Sequence, residues 1–122
     1  MDREHFRELV REALVSLPNG LLSRVQNVEI LIEWRPTAID RQQAGLNQGS
    51  QLLGLYHGVP LPNRGENYNL VLPDKISIYQ APIESICATD DEVREQVRTT
   101  VLHEIGHYFG LDDTRLHQLG MD

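Results

Sequence analysis

HEIGHYFGLDD, residues 103–113, is the stretch whose reading decides the fold. Two histidines stand four positions apart, and a glutamate directly follows the first. Gly110 and a pair of aspartates, Asp112 and Asp113, complete it. Four residues of helix make about 400° of rotation, so His103 and His107 lie one turn apart on one face. Two imidazoles at that separation can reach a single Zn2+ at about 2.0–2.1 Å each. Glu104 is rotated about 100° from His103, where its carboxylate can flank the same ion and take a proton from a water held on it. HExxH on a helix therefore carries two metal ligands and a general base.

A hydrolytic zinc site takes three protein ligands and leaves a fourth position open. Fifteen residues follow His107 and none is a glutamate, so we expect a third ligand of another type. The nearby candidates are Asp112, Asp113 and His117, with His57 a more distant one. Gly110 permits a sharp reversal after the helix. Asp113 lies ten residues after His103, with the glycine at seven. That is the spacing HExxHxxGxx(H/D), in which the third ligand follows a glycine turn, and it makes Asp113 the preferred ligand. Asp112 then falls on the outside of the turn or behind the metal, and His117, one turn beyond Asp113, is the main rival. The bland alternative, two polar histidines exposed on a helix end, leaves the glycine and the aspartate in register unexplained.

Outward from this stretch the chain is helical from Thr89 to about Phe109. Thr89 or Asp90 can cap it, and Asp91 and Glu92 suit the positive end of its dipole. Val93, Val97, Val101 and Ile105 form an i+4 apolar stripe, broadened by Leu102 and Phe109. A short helix is expected over 113–119. Upstream, VEILIEW (28–34) alternates as a half-buried strand, with Trp34 expected in the core. QLLGLYH (51–57) reads as a second strand in which Gly54 either weakens the strand or marks a close approach by another backbone. Ile76, Ile78 and Tyr79 make a third, closed by Pro82. Residues 37–50 are polar and hold a short helical turn and a loop; 58–69 are turn-rich and expected at the surface. Residues 3–17 form an amphipathic, core-packing helix capped by Asp2, with His5 solvated. The order α-β-β-β-α-α predicts an α+β fold over residues 1–122 as one domain. A small mixed sheet of three to four strands packs on the N-terminal helix and the helix bearing HExxH.

Composition narrows the function. With 11 basic and 18 acidic residues the net charge is −7, and no basic stripe offsets it, so nucleic-acid binding is disfavoured. No GxGxxG or GK[ST] is present, which argues against a phosphate cradle. No apolar run approaches the roughly 20 residues of a membrane span. The first residues, MDREHFRELV, lack the apolar region of a secretory signal, and the single cysteine, Cys87, is read as a small buried hydrophobe. Both point to a reducing, cytoplasmic setting.

The chain resembles the small zincin-like metallopeptidases of bacteria, described as minimal metalloproteases. The resemblance is carried by NVEILIEWRP (27–36), LLGLYHGVPL (52–61), LPDKISIYQAPIE (72–84) and, most specifically, VRTTVLHEIGHYFGLDDTRLHQLG (97–120). It implies a zincin-type fold with zinc on the helix of His103 and His107, Glu104 as base and Asp113 as third ligand. The substrate it implies is a peptide or protein. Two features depart from the pattern. Position 106 is glycine where the family commonly has alanine, and metzincins place a methionine turn beneath the metal well downstream, whereas this sequence has only Met121 after the motif, so the floor of the site is expected to be absent or built otherwise. The expected reaction is hydrolysis of a peptide extended along the edge of strand 52–57, with Tyr56 or Tyr108 as a further oxyanion donor. The alternative is a zinc-stabilised binding module without hydrolysis, favoured by a small size that leaves little wall for a cleft. A metal-dependent RNA hydrolase is disfavoured by the acidic charge.

Overall fold

The computed structural model describes residues 1–18, 20–25, 27–45, 51–65 and 74–118. The first helix, α1 (Arg3–Val15), starts where the Asp2 carboxylate accepts from the His5 N–H at 2.7 Å. It buries Phe6, Leu9, Val10 and Ala13. It stops two residues short of the expected boundary, at Ser16, although Leu17 is still buried. The His5 ring is half exposed, as expected, and lies 2.8 Å from Asp90.

Three strands form one mixed sheet in the order β1-β3-β2: β1 (Val28–Glu33), β2 (Gly54–His57) and β3 (Asp74–Tyr79). β1 runs parallel to β3, and β2 runs antiparallel to it. β2 starts later than position 51, yet the Tyr79 N–H still donates to the Leu53 carbonyl at 3.0 Å. Between β1 and β2 lies α2 (Ala38–Gln43), opened by a reciprocal Thr37–Asp40 capping box. The expected loop at 46–50, the tips at 66–69 and the approach LVLP (70–73) lie outside the described residues, as do residue 119 and Met121.

Two expectations are corrected. Pro82 does not close β3, which runs directly into α3 (Gln80–Ser85) with Pro82 in its first turn. There a missing N–H costs nothing, because the first-turn N–H groups have no partner within the helix. Trp34 is 53% exposed and not core. It stands one residue beyond the end of β1, and Arg35 lies over its ring at 5.8 Å.

The core fills one face of the sheet. Ile76 and Ile78 of β3 meet α1 and the long helix α4 (Asp90–Tyr108), whose N-cap Thr89 accepts from the Glu92 N–H. Val97, Val101 and Ile105 of α4 are sealed there, each contributing about 1.5–3 kcal/mol by burial. That stripe fixes the rotation of α4 and turns His103 and His107 away from the core. Part of the opposite sheet face lies against α2, where the Tyr79 hydroxyl donates to Asp40 at 3.0 Å. Cys87 is half-buried, and burial followed by Glu92 raises its thiol pKa. Among the described residues no helix is long and apolar enough to cross a membrane. A last helix, α5 (Asp113–Gln118), follows the reversal after α4.

Candidate metal centre

α4 brings the two imidazoles together as the i, i+4 spacing requires. His103 Nε2 and His107 Nε2 are 3.1 Å apart, with the rings edge to face. The helix ends in a paired turn: Gly110 N–H donates to the His107 carbonyl at 2.9 Å and Leu111 N–H to the Gly106 carbonyl at 3.0 Å. This Schellman arrangement needs a left-handed residue, and Gly110 supplies it with φ +87. Asp112 then caps α5, accepting from the Arg115 N–H at 2.8 Å, which commits its side chain.

Asp113 opens α5 and returns to the histidines. Its Oδ1 lies 3.1 Å from His107 Nε2 and 3.4 Å from His103 Nε2. The departure at position 106 has its cause here. A Cβ on Gly106 would sit 2.2 Å from Leu116 Cδ2, and Leu116 is fully buried. Glycine therefore lets α5 seat against α4, and the seat carries Asp113 to the site. His117, one turn on, is exposed.

His103 and His107 together with Glu104 or with Asp113 bring three donor groups close enough for one metal ion, and the trio with Asp113 is the tighter. A tetrahedral ion with ligands at about 2.0–2.1 Å holds neighbouring donor atoms roughly 3.3–3.4 Å apart. The three separations here are 3.1, 3.1 and 3.4 Å. Burial, followed by the neighbouring His103, holds the His107 pKa below the ordinary range, and Asp113 opposes them; the shift favours the neutral ring, the form that binds a metal.

Glu104 stands beside this trio. Its Oε2 is 3.8 Å from His103 Nε2, further out than Asp113, and its other oxygen accepts from the Tyr56 N–H at 2.8 Å. Burial raises its carboxyl pKa to about 7, the Tyr56 N–H lowers it, and Asp113 adds to the rise. The Tyr56 contact depends on Gly54. A Cβ there would lie 2.5 Å from Thr100 Cγ2 and 3.0 Å from the Ser77 carbonyl oxygen. The close neighbour is thus first a side chain of α4, and only second the backbone that the sequence suggests. Leu53 bonds to β3, so by antiparallel alternation Gly54 and Tyr56 direct their N–H and C=O groups to the free edge.

His57 faces α2, with Nδ1 3.1 Å from Gln43 Oε1 and Nε2 3.8 Å from Asp40. Burial, then Lys75, lowers its pKa, while Asp40 and Glu33 oppose. Neither tyrosine offers its hydroxyl to the site in the way the oxyanion role requires. Tyr56 gives its proton to Asp74 at 2.5 Å, and Tyr108 is fully buried. Around the trio runs a cleft of about 800 Å3, walled by the end of α2, β2 and the turn after it. Sequence reading singles out neither Asp74 nor Arg64, a buried ion pair at 2.6 Å beside Tyr56. The available signal is an aspartate opening a strand of apolar β-formers, where its kind is depleted.

The zincin-like metallopeptidase family model matches residues 25–121. Among solved structures, the chain is similar to a conserved hypothetical protein from Thermus thermophilus. The two are 24% identical with a TM-score of 0.57, over 99% of this chain and 100% of that one. That likeness shows the fold alone. No curated protein matches the chain.

Proposed function

The chain belongs to the zincin-like metallopeptidase family, and on that premise we propose that it hydrolyses peptide bonds with zinc held by His103, His107 and Asp113. The observation that carries this reading is the triangle of donor atoms, 3.1 to 3.4 Å on a side, with a buried carboxylate next to it. When bound, zinc supplies Lewis acidity toward a carbonyl oxygen and acidifies water at the site. The chain's own residues do the rest. Glu104 takes the proton of the attacking water and returns it to the leaving amine. The Tyr56 N–H holds one of its oxygens, so the other is left to face the reacting centre. The edge of β2 that does not pair with β3 lines the cleft, where an extended peptide or protein substrate would lie. A cytoplasmic setting, with no nucleic-acid partner, belongs to the same reading.

Metal content and turnover test it together. Wild type is expected to hold one zinc per chain, His103→Ala to lose it, and Asp113→Ala to bind it far more weakly. Glu104→Gln is expected to keep zinc and lose about 10²–10⁴-fold in peptide turnover. Full activity in Glu104→Gln overturns the base assignment. A wild type that holds zinc and cleaves nothing in a peptide library favours a zinc-stabilised binding module instead.

A further inference from the structure

Asp74 opens β3 and is almost sealed from solvent. A buried carboxylate is stable only with its lone pairs filled. Three donors converge on its Oδ2: the Tyr56 hydroxyl at 2.5 Å, Arg64 Nη2 at 2.6 Å and the Val59 N–H at 3.1 Å. Arg64 also donates from Nε to the Val59 carbonyl at 2.9 Å, and its guanidinium lies over the Tyr108 ring, 4.9 Å from the centroid. Tyr56 meets that same ring edge-on at 6.1 Å. The chain passes directly over the carboxylate at Gly58, where a Cβ would come within 2.0 Å of Asp74 Cγ.

Tyr56 is thus tied at both ends. Its hydroxyl is anchored in the Asp74–Arg64 pair, and its backbone N–H holds Glu104 at 2.8 Å. Tyr108, beneath Arg64, directly follows His107 on α4. We propose that the Asp74–Arg64 pair is a positioning device for Glu104: it anchors Tyr56 through the hydroxyl and so fixes the N–H that aims the carboxylate at the histidine pair. The proposal rests on the role of Glu104 given above. A buried ion pair adds little net stability over apolar residues of the same volume, so fixing a geometry is a better account of this one than strength.

The test uses the full chain loaded with zinc and reads amide hydrogen exchange by NMR beside peptide turnover. Tyr56→Phe removes the hydroxyl tether and keeps the ring against Tyr108. Exchange at residue 56 is expected to accelerate about tenfold while the amides of Ile78 and Val101 keep their protection. Zinc content stays stoichiometric, and kcat falls about tenfold with KM unchanged. Asp74→Asn leaves residue 56 itself untouched and is expected to accelerate exchange at residue 56 beyond any rise it shares with Ile78 and Val101. Arg64→Lys, which retains the charge, keeps more of the protection than Arg64→Met. Unchanged exchange at residue 56 in Tyr56→Phe overturns the proposal, as does an equal rise at all three amides, which marks a role in folding alone. If wild type cleaves no peptide, the peptidase reading fails, and the exchange measurements still decide whether the tether exists.

Discussion

Glu104 and Asp113 reach the same two imidazoles from regions built on different principles. Glu104 is 6% exposed on a 19-residue helix, and its hydrogen-bond partner on β2 lies 48 positions away in sequence. Asp113 has an 81% exposed side chain at the first position of a six-residue helix. The side proposed to supply the base is assembled by packing between separate segments: Gly54 against Thr100, Tyr56 against Tyr108, Asp74 against Arg64. The side proposed to supply the third metal ligand is assembled by one glycine turn and one leucine in a helix notch. Damage to the first region should therefore cost stability. Damage to the second should cost metal and leave the fold standing.

The largest expected effect is on the base side. Arg64→Met strands the buried Asp74 carboxylate without its cation and is expected to destabilise the zinc-free protein by about 3–5 kcal/mol in urea unfolding. A loss under about 1 kcal/mol would mean that Asp74 is relieved by water and that this region is softer than its burial implies. Next comes Gly54→Ala, whose new methyl collides with Thr100 Cγ2 and the Ser77 carbonyl. Overpacking of this kind costs about 1–3 kcal/mol. Thr100→Ser deletes the nearer atom, so the double substitution should recover part of the loss, and a coupling energy near zero would show that the strand shifts instead.

The two regions also differ in how far they can be read from sequence. The ligand side is legible because its constraints are local. Helical rotation alone places His107 over His103, and a glycine at the left-handed position followed by Asp112 and Asp113 specifies a turn and a cap. Even so, the reason for Gly106 requires knowing that Leu116 lies against it, which no periodicity states. The α1, β1 and α4 patterns likewise give elements close to those observed, because burial of one face imposes its period on the residues. The base side is opaque for the opposite reason. Tyr56 and Asp74 are 18 positions apart, and Arg64 joins them from a turn-rich stretch that reads as an ordinary surface loop. Alternation in VEILIEW assigns Trp34 to a face and says nothing of how far the cover over that face extends, hence its exposure. Pro82 reads as a strand stop because a proline lacks a donor, which is true of both a strand end and a first helical turn.

On the ligand side, Gly106→Ala sharpens the comparison. The substitution gains about 1 kcal/mol of helix propensity and presses on Leu116, so the net change in zinc-free stability should stay within about 1 kcal/mol. Zinc affinity by titration calorimetry is nonetheless expected to fall about tenfold, because α5 must lift and Asp113 lifts with it. Unaltered affinity would mean that the seat of Leu116 does not position the carboxylate.

Asp113→Ala should have the smallest effect on the zinc-free fold. The residue is exposed, its neighbours α4 and Leu116 are untouched, and surface substitutions of this sort usually fall within about 0.5 kcal/mol. Two small terms oppose each other: the loss of a negative charge at the start of α5, and relief of the repulsion that raises the Glu104 carboxyl pKa. Zinc makes the difference visible. Free zinc at a hundredfold excess over the dissociation constant stabilises a native state by about 2.7 kcal/mol. Wild type should show that increment in parallel melts with zinc and with chelator, and Asp113→Ala should show almost none at the same zinc concentration. A full increment in the variant would move the third ligand elsewhere on the chain, with Glu104 the nearest remaining carboxylate, and would remove the division of labour between the two acids.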